Sequence, residues 1–270
     1  MSNHTQDSGK PVVKLSGVAQ SFTVGDETVN VIHGADFEIK PGSFNILYGQ
    51  SGSGKSTLLN ILSGLQRPTK GSVVFNGKDI YNLRSDDLAF FRANEIGIVY
   101  QQNYWVNSLN VVENVSMPLY LQGYRKAEAE AEALKMLKRI NMDSYAKKYP
   151  TLLSGGEQQR VAMARAIVNS PSVVIADEPT GNLDNTNGDM IMDFLVNYQA
   201  VLGHTIILVT HNMEYLTLAD HLLNIQDGDV RDMKGKNISD TTESLIRSMR
   251  ERIDHFAVNK KDKTSDAKKS

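Results

Sequence analysis

Eight consecutive residues, Gly49-Gln50-Ser51-Gly52-Ser53-Gly54-Lys55-Ser56, satisfy the spacing G-x-x-x-x-G-K-[ST], and Thr57 follows. Glycines let the backbone curl until successive N–H groups point inward, an arrangement that suits phosphate oxygens. A helix beginning near Lys55 adds the positive end of its dipole to the same anion. Lys55 supplies a mobile cation for the β- and γ-phosphates, and the Ser56 hydroxyl can ligate Mg²⁺. The motif needs a strand before it and a helix after it. The apolar run 44–48 and the helical spacing of apolar residues over 57–65 supply both.

A second reactive group follows an apolar run. Val173-Val174-Ile175-Ala176 ends in Asp177 and Glu178. A strand covered on both faces does not end in two carboxylates for packing reasons, because unpaired buried carboxylates are costly. A Mg²⁺ ion near the strand end removes the cost. Asp177 then holds the metal, directly or through water, and Glu178 polarises the water that attacks a γ-phosphate.

The third group is Leu153-Ser154-Gly155-Gly156-Glu157-Gln158-Gln159-Arg160. It reads as another anion-binding helix start, with Ser154 and two glycines exposing N–H groups ahead of a helix over 157–169. One active site does not need two such cradles, so this one is expected to serve nucleotide held by another subunit.

With these residues in place the sequence resembles the ABC ATPases, in which the 153–160 stretch is the signature motif. The resemblance runs from about residue 12 to 232. It implies an α/β fold: a P-loop NTPase (RecA-like) core with an N-terminal antiparallel β-subdomain and a helical subdomain leading to the signature motif. It also gives roles to further residues. Gln101 is similar to the glutamine that touches Mg²⁺ and faces the transporter subunit. Asp184, in Asn182-Leu183-Asp184, is similar to the D-loop aspartate at the dimer interface, and His211 to the switch histidine near the γ-phosphate. Phe22 falls where an aromatic ring stacks on adenine. The resemblance therefore implies catalysis by Glu178, His211, Gln101 and Lys55, and metal ligation by Ser56, Gln101 and Asp177. Nucleotide contacts come from Phe22, the 49–57 loop, Ser154, Gly155, Gly156 and Asp184.

Within the family, the Glu-Gln-Gln-Arg ending of the signature and Thr180-Gly181-Asn182-Leu183-Asp184 resemble one branch. It contains the lipoprotein-release ATPase LolD, the macrolide-export protein MacB and the division-associated ATPase FtsE. This implies a head-to-tail dimer around two Mg-ATP, driving a separate transmembrane permease by docking near the Gln101 loop. Export, lipoprotein release or mechanical transduction is the expected work; an importer ATPase is the alternative. Gln50 and Tyr104-Trp105-Val106-Asn107 depart from the branch's usual residues, the latter at the surface that faces the permease. No nucleic-acid partner is expected. The single compact insert between Lys55 and Asp177 leaves no room for a long coiled coil, and zinc sites built on cysteine are impossible without Cys.

Positioning these groups requires particular elements. Runs at 12–15, 18–24, 29–32, 35–39 and 44–48, separated by Gly25-Asp26, Gly34 and Pro41-Gly42, read as a small opening sheet. A strand is expected at 72–76, a helix at 86–94 and a strand at 96–100. Residues 111–149 form a helical insert, most clearly at 125–140. Strands return at 173–176 and 205–209, and a hairpin over 222–232 closes the α/β sandwich. The expected organisation is a flexible tail over 1–10 and an ATPase domain over 11–235 with a helical subdomain at about 101–157. A helix over 236–258 follows, with Ile246, Met249, Ile253 and Phe256 on one face, docking on its own domain or on a partner. Residues 259–270 are lysine-rich and read as disordered.

Composition sets the remaining limits. The 270 residues carry a net charge of −2, so there is no global attraction to nucleic acid or anionic lipid. With 0 cysteines, disulfides and thiolate metal sites are excluded. No run approaches the roughly 20 apolar residues of a membrane-spanning helix, and the N-terminus lacks a secretory signal. The expected location is the cytoplasm, peripheral on the membrane's inner face through a partner.

Overall fold

The computed structural model describes residues 9–233. The expected C-terminal helix, the lysine-rich tail and nearly all of the expected N-terminal tail lie outside the described residues.

The opening runs are two long strands rather than four short ones. β1 (Val13–Val24) and β2 (Glu27–Ile39) pair antiparallel and turn at Gly25-Asp26. Gly34 is not a turn. β2 continues through it, and the register slips where Ala35 faces Val18 and His33 faces Ala19. Such a bulge bends a strand without ending it, which is why a glycine here mimics a turn signal. β3 (Phe44–Tyr48), expected with the opening sheet, belongs to a second one.

After β3 come α1 (Lys55–Leu62), β4 (Lys70–Phe75), the short β5 (Lys78–Asp79), α2 (Ser85–Glu95) and β6 (Ile96–Val99). The helical insert follows as α3 (Val111–Leu121) and α4 (Lys126–Arg139), with α5 (Gly155–Ile167) packing against both. The chain then forms β7 (Val173–Asp177), α6 (Asn185–Leu202), β8 (Thr205–Thr210) and the hairpin β9 (His221–Gln226)–β10 (Asp229–Asp232). The antiparallel sheet has the order β2-β1-β4-β5. The other is β10-β9-β3-β8-β7-β6, parallel except for β10.

α6 is the element the sequence reading missed. Three asparagines and Gly188 lower its helix propensity. Its signal lay in the burial of Ile191, Met192, Leu195 and Tyr198, which repeats at helical period, and in Gly203, whose left-handed φ of 70° closes the helix.

Strand periodicity divides the core. Val173 and Ile175 point into one apolar cluster with α1 and the antiparallel strands; Val174 and Ala176 point into another with α3, α5 and α6. Both faces of the parallel sheet are therefore covered, as its continuous apolar runs require. Because β3, β6, β7 and β8 are parallel, their C-terminal ends share one edge, where an open α/β sheet places its ligands. That edge receives the 49–54 loop, Gln101, the Asp177-Glu178 pair and His211.

The sheet is packed hard against α5. A Cβ at Gly97 in β6 would stand 2.0 Å from the Ala166 carbonyl oxygen. Gly97→Ala is expected to destabilise the fold by about 1–3 kcal/mol in a urea titration, through forced separation of strand and helix.

Candidate functional site

The phosphate loop is shaped from outside as well as by its own glycines. A side chain at Gly49 would strike the Ile225 carbonyl oxygen at 2.2 Å, and Gly54 turns with φ 106° directly against Val31 and Ile32 of β2. Gly228 N–H donates to the Ser53 carbonyl oxygen at 3.2 Å. Strands from both sheets therefore fix the curl. Lys55 begins α1 and folds back, its Nζ donating to the carbonyl oxygens of Gly49 (2.8 Å) and Gln50 (2.7 Å). Ser53 Oγ is buried beside Gly49 and has no hydrogen-bond partner.

β7 delivers the acids. Burial pushes the Asp177 carboxyl up, Glu178's charge adds to the shift and Lys55 opposes it. Burial lowers the Lys55 ammonium, and Glu178 and Asp177 oppose that. The three groups thus share one poorly solvated field. Glu178 sits in the left-handed region at φ 43°, costly for a residue with a Cβ. Its N–H donates to Val209 O at 2.9 Å, which ties the strained turn to β8. His211 Nδ1 lies 2.9 Å from Glu178 Oε1. Gln101 Nε2 and Glu178 Oε2 both stand 3.6 Å from where a Cβ at Gly181 would be. Lys55, Asp177, Glu178, Gln101 and His211 are therefore one assembly. A cleft of about 410 Å³ opens beside it, lined in part by Glu178, Asp184, His211 and Tyr215.

No group of three or more His, Cys, Asp or Glu among the described residues could hold a metal ion. The chain's own donors at this edge, the Ser56 hydroxyl and the Asp177 carboxylate, are few and hard. They fit a cation that keeps waters and takes further oxygens from a phosphate.

The second cradle adjoins the same cleft through Leu183 and Asp184. Ser154 caps α5: its N–H and its hydroxyl each donate to Glu157 Oε2 at 2.8 Å, and Glu157 N–H donates back at 3.4 Å. A hydrogen bond from Tyr145, reinforced by those from Ser154, holds the Glu157 carboxyl down at about 2. Gly155 and Gly156 face the start of α6. A Cβ at Gly156 would meet Asn187 Oδ1 at 2.5 Å. Asn187 is held by Asp184, which caps α6 by accepting from Asn187 N–H at 2.9 Å and Nδ2 at 2.8 Å. The sequence reading singled out Asp184 but not Asn187, although the D-x-x-N spacing of a capping aspartate was there to be seen. Phe22 lies on β1 opposite Val29 with 40% of its surface exposed, leaving a ring face open.

The ABC transporter family model matches residues 32–181, more than half of the chain. The chain belongs to the ABC transporter family. An uncharacterized ABC transporter ATP-binding protein of Mycobacterium tuberculosis is 41% identical over 219 residues, covering 81% of this chain and 88% of that one. The lipoprotein-releasing system ATP-binding protein LolD of Buchnera aphidicola is 37% identical over 219 residues, 81% of this chain and 96% of the relative. Among solved structures, a dimeric ATP-binding cassette in a post-hydrolysis state with ADP and Pi superimposes with a TM-score of 0.77 at 36% identity, over 83% of this chain and 99% of that one. These likenesses establish the P-loop ABC ATPase fold expected above, and with it an ATP-hydrolysing subunit of a transporter. No helix among the described residues is long and apolar enough to cross a membrane.

The raised Asp177 carboxyl has a sign that can be measured. Its charged form is disfavoured in the fold, so a penalty absent in acid builds as pH rises above the ordinary value of 3.8. Without nucleotide, Asp177→Asn should melt above the parent at neutral pH by calorimetry, the gain fading below pH 3.8.

Proposed function

We propose that two copies of this ABC ATPase subunit associate head to tail, each nucleotide lying between the 49–57 loop of one protomer and Ser154-Gly155-Gly156 of its partner. One observation carries this reading. The chain opens two helices on glycines, α1 after Gly54 and α5 at Gly155-Gly156, and the second start faces Leu183 and Asn187 beside the N-terminus of α6. The dimeric form of the similar cassette supports it.

In this arrangement the N–H groups of the loop and the Lys55 ammonium bind the β- and γ-phosphates, and the open face of Phe22 stacks on the adenine. Ser56, Asp177 and Gln101 would hold a Mg²⁺ ion, which would supply positive charge to neutralise the phosphates. Glu178 accepts the proton of the attacking water. The water oxygen bonds to the γ-phosphorus, the bond to the β-bridging oxygen breaks, and ADP and inorganic phosphate are left. His211, 2.9 Å from Glu178, fixes the carboxylate's direction. Ser154, Gly155, Gly156 and Asp184 of the partner close the pocket, so ATP favours the dimer through its differential affinity for the closed form.

The division of labour follows. Residues 11–235 form the ATPase domain, with a helical subdomain at about 101–157 that carries motion to separately encoded permease subunits docked near the Gln101 loop. The subunit works on the cytoplasmic face of the membrane, in export, lipoprotein release or mechanical transduction. The likeness to LolD and the Thr180–Asp184 sequence favour this branch.

Lys55→Ala should lower nucleotide affinity about 10–100-fold in an equilibrium titration, the scale of a lost charge-assisted bond. Glu178→Gln should keep that affinity, slow turnover by about 100-fold or more and accumulate an ATP-bound dimer in sedimentation. Mixing Lys55→Ala with Ser154→Ala copies should restore turnover that neither has alone, because one intact composite site forms. A mixture as inactive as its parts would remove the head-to-tail arrangement.

A further inference from the structure

Between Gln101 and the start of α3 the chain has no regular element, yet it is tied down twice. Asn114, buried in α3, holds the far end: its Oδ1 accepts from Val106 N–H, and its Nδ2 donates to the carbonyl oxygens of Val106 and Leu109. The near end is held by α5. Arg165 donates to the carbonyl oxygens of Asn103 (2.5 Å) and Tyr104 (3.3 Å), and its guanidinium lies 4.6 Å from the centre of the Trp105 ring. Trp105 Nε1 donates to Gln158 Oε1 at 2.8 Å. Gln158 Nε2 in turn donates to Leu153 O at 3.0 Å, the carbonyl immediately before Ser154.

Gln158 and Arg165 are two helical turns apart and share a face of α5. A partly buried guanidinium that stacks on an indole and bonds two carbonyls is a strong, directional tie. The path from Gln101 to the Ser154 cradle of the same protomer is thus a short run of backbone, one ring and one amide.

We propose that Trp105, Arg165 and Gln158 form a latch that makes the loop bearing Gln101 and the helix bearing Ser154 move as one body. Displacing residues 103–105 then displaces the cradle offered to the partner's nucleotide. These are positioning residues, and the inference rests on the composite-site reading above.

The test uses the full chain carrying Glu178→Gln. Dimerisation with ATP is followed by sedimentation, and affinity of the dilute monomer by titration with a fluorescent ATP analogue. Trp105→Phe keeps a ring beneath Arg165 but removes the N–H, and Gln158→Leu removes its acceptor. Each should leave monomer affinity within about twofold and weaken dimerisation about fivefold or more, with the double variant no worse than either single one. Arg165→Lys, which cannot stack or fork, should weaken dimerisation further. Trp105 is the only tryptophan, so its emission in the nucleotide-free protein must differ between parent and Gln158→Leu. Identical spectra, or unchanged dimerisation in all the variants, would overturn the latch. A parent that binds ATP without dimerising would remove the composite site and the latch together; a dimerising parent with equally dimerising variants removes the latch alone.

Discussion

An ammonium group drawn partly out of water must find negative charge or carbonyl oxygens nearby, and in this ATPase the site is organised around that need at Lys55. The lysine bonds two carbonyls of its own loop, while Asp177 and Glu178 supply the opposing field from β7. Strand order makes this possible. β8 separates β3 from β7, and the three strands end together, so loop and acids meet across a single intervening strand. The apolar side chains of these strands serve that meeting, because only a sheet covered on both faces holds its ends so firmly.

The local costs gather at the same place. Glu178 takes a backbone conformation that its Cβ resists, and burial disfavours the charged form of Asp177. Ser53 keeps an unsatisfied hydroxyl beside Gly49. Each feature is a cost to the fold taken alone and suits a site that receives ATP. Strain and poorly solvated charge of this kind belong at functional sites, held in place by surrounding structure that over-determines them. Here that surrounding structure includes the Glu178 bond to β8 and the buttressing of the loop by Val31, Ile32 and Ile225.

What the sequence disclosed was governed by distance along the chain. The phosphate loop, the acid pair and the signature each lie within a few residues, so each stands out as a motif in the sequence. The parallel core was legible because its strands are apolar without interruption, and the helical insert because α4 repeats Ala129, Ala133, Met136 and Leu137 at helical spacing. Gly34 misled because a bulge and a turn ask for the same residue. α6 was overlooked because its asparagines and glycine speak against a helix that tertiary burial nonetheless imposes. Contacts between distant segments were out of reach. Nothing near Gly156 announces Asn187, and nothing near Trp105 announces Arg165, since each pairing exists only once the chain has folded.

The parallel sheet has one further consequence. Alternate side chains of its strands enter two separate apolar clusters, with α1 on one face and α5 on the other. It is a stiff partition with different tenants on its two sides. A push on the 49–54 loop meets this partition as one stiff body, since close-packed interiors compress little and transmit strain. The loops after β3, β6, β7 and β8 all leave it at one rim, so Lys55, Gln101, Asp177, Glu178 and His211 are fastened to a common rigid border.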